Sequence, residues 1–428
     1  MSNAEENASS AAFILEHLDD GLLVKTESLY KDVHSNPELA MQEHRTAALA
    51  AERLRAAGFQ VTEHVGATGV VGVLRNGEGP TVMLRADMDA LPIAEQTGLP
   101  YASTVTTTDA SGQETSVMHA CGHDMHVAWL VAACTLLAGG TTHWQGTLLI
   151  VFQPGEETAQ GAQAMIDDGL FDRFPKPDVV LGQHVMPWSA GMIGSRAGVI
   201  TAAADSLQIR LFGRGAHGSM PQASIDPVVM AAATVLRLQT IVAREVAPTD
   251  AVVVTVGALQ AGTKENVIPD EAIIKLNVRT FNEATRNRVL AAISRIANAE
   301  AEASGASKPP EITTLDRYNL VRNDAEATRR VRDALTLRFG ADRVVEIAPL
   351  SASEDFGSFG TGWQTPSVFW TIGGTDPATY RQAEKAGTLN ELPTNHNPRF
   401  APVLHPTLET GIQALVTSAC AWLSPVAH

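Results

Sequence analysis

The sequence predicts an α/β fold in which a mostly parallel mixed sheet flanked by helices is interrupted, after residue 200, by an inserted α+β unit. Three observations point there. Between 58 and 200, short apolar runs bounded by Gly, Pro or Asp are interspersed with stretches of helical spacing, as in sheets buried on both faces. Near 200 the rhythm changes to half-exposed strands and long helices. A chain of 428 residues, 45% hydrophobic and 18% charged, is too long for one small core yet apolar enough to fold throughout.

In chain order, 11–34 and 43–57 have helical spacing, the second closed by Gly58 at its C-terminal end. Apolar runs at 70–74, 81–84, 148–152 and 179–181 read as buried strands, with helices at 124–138 and 161–169 between some of them. Residues 206–212, 251–259 and 271–280 read as half-exposed strands, and 226–245 and 283–303 as long helices. Two helices on an antiparallel sheet make a self-contained, ferredoxin-like unit, and the Ser, Gly, Lys and Pro of 303–310 mark its exit. A helix at 323–339, a strand at 367–372 and a helix at 406–423 complete the first sheet. The expected division is therefore 1–200, 201–312 for the insert, and 313–428.

A formal charge of −16 with no run of Lys and Arg argues against nucleic acid, since phosphate binding needs clustered cations. Three cysteines form no disulfide framework, and the polar, acidic N-terminus has no signal-peptide pattern, so the expected location is cytoplasmic. No apolar run approaches the ~20 residues that crossing a bilayer takes.

Four polar clusters lie at or near the ends of these elements, where open α/β sheets bind ligands. They are Arg85-Ala-Asp87-Met-Asp89, Gln153-Pro-Gly-Glu156-Glu157, Gln183-His184, and Asn395-His396-Asn397-Pro398 before the last helix. A fifth, Met118-His119-Ala-Cys121-Gly-His123-Asp124-Met-His126, opens the helix at 124. On an extended segment Cys121 and His123 point the same way, Gly122 permits a tight path, and Asp124 suits a helix N-cap. Thiolate, imidazole and carboxylate together match zinc or a related metal. Of two adjacent acids in a Pro-Gly turn, one can bind metal while the other serves as base, and Glu156 is the choice for the base. His119 and His126 are a further ligand or ligand-orienting residues. Asp89 orients a ligating His, and Asp87 is a ligand or a structural acid. Cys134 and Cys420 read as buried helix residues, and His17, His34, His44, His64, His143, His405 and His428 as surface or supporting histidines.

Gly213-Arg-Gly215-Ala-His217-Gly218 fits the dinucleotide pattern G-x-G-x-x-G. Its context does not fit. Pro221 falls where a helix should begin, and no acid-tipped strand follows at the required distance.

Taken together, the ordered motifs resemble the co-catalytic metallopeptidases and amidohydrolases, a family that includes aminoacylase, hippurate hydrolase and auxin-conjugate amidohydrolases. They run from His34-Ser-Asn-Pro37-Glu38 through Asn266-Val-Ile-Pro269 and Ser353-Glu354-Asp355-Phe356 to Phe400. The resemblance implies two divalent cations held by Cys121, His123, Glu157, His184 and His396, with Cys121 bridging. Zinc or manganese is expected, and cobalt or nickel also suit this ligand set. It further implies Glu156 as general base, and an inserted lid or dimerisation domain whose His217 reaches a neighbouring site to hold the oxyanion. By the same resemblance, Asn266 and Arg279 are similar to residues near the substrate's polar groups. Asp87-Met-Asp89, where peptidases carry His-x-Asp, resembles the amidohydrolase branch. The implied reaction is hydrolysis of the amide of small N-acyl amino acids by metal-activated water, with a homodimer as the expected assembly. A dipeptidase or carboxypeptidase on the same site is the alternative.

Overall fold

The computed structural model describes residues 3–109 and 111–425; His428 lies outside them. The chain forms two compact units, one within 1–200, 322–348 and 355–428, the other made of 201–321 and 349–354.

A nine-stranded mixed sheet organises the first unit. Its centre is parallel: Trp144–Gln153, Thr81–Asp87, Val179–Ser189 and Ser367–Thr375 lie side by side in that order. Val82, Met83, Leu84, Leu148 to Phe152 and Val179 to Leu181 are fully buried, because helices cover the sheet and leave these strands no solvent face. The main core helices are His123–Gly139 and Leu404–Cys420, with Cys134 and Cys420 buried among their apolar residues.

One edge differs from the sequence expectation. Gln60–Val65 folds back on Gly69–Asn76 as an antiparallel hairpin, so no helix separates these strands. The first helical stretch is also two helices, Asn3–Leu15 and Asp20–Ser35. Asp19 restarts the chain by accepting the Leu22 N–H at 2.8 Å, a cap that helical periodicity does not reveal.

In the second unit, Val252–Ala261, Glu271–Thr280, Ala203–Phe212 and Glu311–Tyr318 form a four-stranded antiparallel sheet, in that order. Helices Pro227–Thr240 and Glu283–Ala303 bury Met230, Leu238, Val289 and Ile293 in a core shared with the sheet's Leu207, Ile209 and Ile274. The polar stretch at 303–310 is not the exit, since Glu311–Tyr318 returns as the fourth strand. Pro227–Thr240 runs on through a π-helical turn, Ile241–Glu245. Together they span 19 residues and are long and apolar enough to cross a membrane by length and composition, as core helices also are, and Met230, Leu238 and Ile241 are buried in this unit's own core.

Candidate metal centre

The Cys121–His123 segment is not extended. Gly122 adopts φ +85° as the N-cap of His123–Gly139, and a Cβ there would sit 2.4 Å from Val185 Cγ1. A left-handed turn, which glycine adopts without strain, turns the chain between thiol and imidazole. Asp124 is therefore not the N-cap; its carboxylate meets the His34 ring at 2.6 Å. His34 is itself buried rather than a surface histidine, and its other nitrogen meets Glu95 at 3.0 Å. Burial alone would lower His34, but Asp124 and Glu95 hold it up at about 9.

Ligand atoms of Cys121, His123 and Glu157 lie within 4.8 Å of one another, as do those of Asp87, His123, His126 and His184. The hydrogen bonds determine which imidazole nitrogens face inward. His123 Nδ1 lies 3.2 Å from Asp89, and its buried Nε2 has no hydrogen-bond partner. That nitrogen is 3.6 Å from an Asp87 oxygen, 3.9 Å from one of Glu157 and 4.0 Å from one of Glu156. His184 Nδ1 donates to the Val185 carbonyl at 2.7 Å, leaving Nε2 3.5 Å from Cys121 Sγ. His396 is half-exposed and places Nε2 3.2 Å from Glu157. In His184 one nitrogen is fixed as a donor and the other is turned inward, the arrangement of a metal-ligating histidine; the Asp89 contact gives His123 the same form.

His126 is different. The Val185 backbone N–H donates to its Nε2 at 2.9 Å, and its Nδ1 bonds Asp87, so both nitrogens are engaged. Asp87 is likewise taken up by His126 and by Arg85 at 2.7 Å, which favours the structural reading of both residues. Arg85 also donates to Gln153 at 2.8 Å and to Asp355 at 3.1 Å, and Gln153 donates to Asp355 at 2.7 Å. This buried set ties strand ends together beneath the cluster; Gln153, fully buried at the end of an apolar strand, was its visible signal. His119 is buried with neither ring nitrogen partnered, and burial lowers it to about 4. Asp89 joins two functions: one oxygen meets His123, and the other accepts the Glu157 N–H at 2.8 Å. Asn395, which the sequence placed in a polar cluster without a role, donates to the Cys121 and Val185 carbonyls, each at 3.1 Å.

The electrostatics call for positive charge. Burial and the nearby carboxylates of Glu157, Glu156 and Asp87 push the Cys121 thiol far up. His123, which burial alone would lower, is raised to about 10, with Asp87 the largest opposing influence. Buried acids, a thiol and an orphaned imidazole nitrogen fit a cation, which would hold the thiol as thiolate and His123 neutral.

The sequence pattern of Peptidase family M20/M25/M40 matches residues 83–416. The chain belongs to this family. Among M20 relatives, hippurate hydrolase of Campylobacter jejuni is 40% identical over 340 residues, covering 78% of this chain and 84% of that one. Thermostable carboxypeptidase 2 of Saccharolobus solfataricus is 34% identical, covering 86% and 88%. A solved Bacillus subtilis structure, described as a dinuclear metal binding peptidase from the M20 family, superposes with TM-score 0.75 at 28% identity, covering 95% and 100%.

His217, Asn266 and Arg279 belong to the second unit. Ala216–His217 pairs with Val267–Ile268, and Gly218 donates to the Asn266 carbonyl at 2.8 Å, so His217 and Asn266 share a short ribbon. No helix follows Gly218 directly, which leaves the dinucleotide pattern without its phosphate-binding element. The Ser219 N–H donates to His217 Nδ1 at 3.1 Å; a neutral ring there carries its proton on Nε2. Arg279 Nη1 donates to the Ser351 carbonyl at 2.7 Å and to Ser353 Oγ at 3.1 Å.

Proposed function

We propose that this M20 chain is a dimetal amidohydrolase that cleaves the amide bond of N-acyl amino acids or amino-acid conjugates. The observation that carries the reading is the orphaned, buried His123 Nε2 beside Cys121, Glu157 and Glu156. Cys121 Sγ, His123 Nε2, a Glu157 carboxylate, His184 Nε2 and His396 Nε2 would hold two divalent cations, zinc or manganese. Bound there, such cations supply Lewis-acid polarisation of the acyl carbonyl and lower the pKa of a water.

The protein's residues do the rest. Glu156 takes the proton from the attacking water and delivers it to the amine nitrogen as the amide bond breaks, giving one carboxylate and one amine. His217, carrying its proton on Nε2, donates to the developing oxyanion in a partner subunit. Arg279, steadied at Nη1, presents the remainder of its guanidinium to the substrate carboxylate, and Asn266 lies beside His217 for polar contact. The inserted unit serves as lid and dimerisation domain. Supporting this, Val229 and Leu236 are 64% and 73% exposed on Pro227–Thr240, and edge strand Val252–Ala261 carries exposed Val253 and Leu259. Three buried free thiols accord with a reducing, cytoplasmic setting.

A substrate panel tests the reading. N-acetyl and N-benzoyl amino acids should be hydrolysed in preference to dipeptides. The carboxypeptidase relative supports the second reading, and a clear preference for dipeptides would establish that reading instead.

A further inference from the structure

Glu43 is a buried acid outside the site described above, fully enclosed at the start of helix His44–Ala56. One carboxylate oxygen accepts the Gly155 N–H and the Met41 N–H, each at 2.8 Å, while the other bonds the Thr68 hydroxyl. Gly155, at φ +55°, opens the turn that carries Glu156 and Glu157, and a Cβ on it would meet Met41 Sδ at 2.5 Å. Two residues on, the Glu157 N–H goes to Asp89 at 2.8 Å. Two buried carboxylates from different segments therefore grip the turn on either side of Glu156.

The supporting segment is anchored in turn. Glu38 accepts the backbone N–H groups of Arg45 and Thr46, each at 2.8 Å, and its carbonyl accepts the Ala90 N–H at 2.8 Å, next to Asp89. The segment from Glu38 to Glu43 thus touches both polar loops of the centre.

We propose that Glu43 is a positioning residue for the reaction, setting through the Gly155 N–H the place from which Glu156 exchanges protons with water and amine. This rests on Glu156 being the base. What the turn uses is the position of the accepting oxygen. Burial, and then the charge of Asp89, push Glu43 up to about 7, so near neutrality it is charged only part of the time while its carbonyl-type oxygen is always present.

Two substitutions separate position from charge. Glu43→Gln keeps the oxygen in place and can donate its amide to Thr68. Glu43→Asp keeps an ionisable carboxyl but draws the oxygen back by one methylene. Turnover is measured per metal-loaded site, with metal content by elemental analysis and unfolding of the metal-free protein alongside. Glu43→Asp should lower kcat by about 10- to 100-fold with KM little changed and metal content preserved, as expected for displacement on the ångström scale. Glu43→Gln should stay within about 3-fold of wild type, given an unmoved acceptor. Wild-type kcat in Glu43→Asp, or an equal loss in both variants, overturns the proposal. Glu156→Gln run in parallel keeps the readings apart: if it remains active, it is the assignment of the base that fails.

Discussion

Single substitutions separate the roles proposed for the polar side chains of the centre. Glu156→Gln keeps the size of the side chain but cannot accept a proton, so turnover should fall by about 10²- to 10⁴-fold while metal content stays at the wild-type level. Asp89→Asn still accepts from His123 through its oxygen but offers an amide where Glu157 N–H needs an acceptor. Metal affinity measured by competition with a chelator should weaken by about 10- to 100-fold, and unchanged affinity would show that Asp89 does not orient the ligands. His34 carries a pH prediction. Held at about 9 against an ordinary 6.5 by Asp124 and Glu95, it stabilises the fold fully below pH 6.5, and that contribution disappears as pH rises through 9. The melting temperature of metal-free protein should decline over that window relative to His34→Gln, and parallel curves for the two proteins would contradict the assignment.

At the scale of elements, the turn between Cys121 and His123 has a conformational requirement. Gly122→Ala places a Cβ on a left-handed residue, costing about 1 kcal/mol or more. The Val185 side chain stands 2.4 Å from that Cβ, so thermal unfolding should show a larger loss than strain alone gives, together with loss of metal. The apolar runs at 81–84, 148–152 and 179–181 were legible because both their faces are buried, and the motifs at their ends mark the site. The hairpin Gln60–Val65 to Gly69–Asn76 was less so, since Gln60–Val65 is half-exposed and has no clean apolar run. The strand Glu311–Tyr318 was hidden for the same reason: it is an edge strand, largely exposed, and it follows directly on the linker-like stretch at 303–310. Cys121, His123, Glu156 and Glu157 could be read from local crowding of chemistry-bearing residues. Glu43, the role of Asn395 and the His34 pair with Asp124 and Glu95 could not, because their partners are distant in sequence and only folding brings them together.

For the whole molecule, the residues of the proposed reaction are shared between the two units. The first carries the buried acids, thiol and imidazoles, and the second, which has its own core, carries Arg279 on its four-stranded sheet and His217 and Asn266 on a separate short ribbon. If the second unit pairs subunits through its exposed apolar face, Val229→Asp combined with Leu236→Asp should shift sedimentation from dimer to monomer. Turnover should fall with it, because His217 is then withdrawn from the neighbouring site; a fully active monomer would contradict that role. The most direct test of the metal-dependent reading is elemental analysis of the purified protein, paired with hydrolysis of N-benzoyl and N-acetyl amino acids before and after chelation. The predicted result is close to two metal ions per chain, activity lost with their removal and restored by zinc or manganese. Activity that survives stringent metal removal would contradict it.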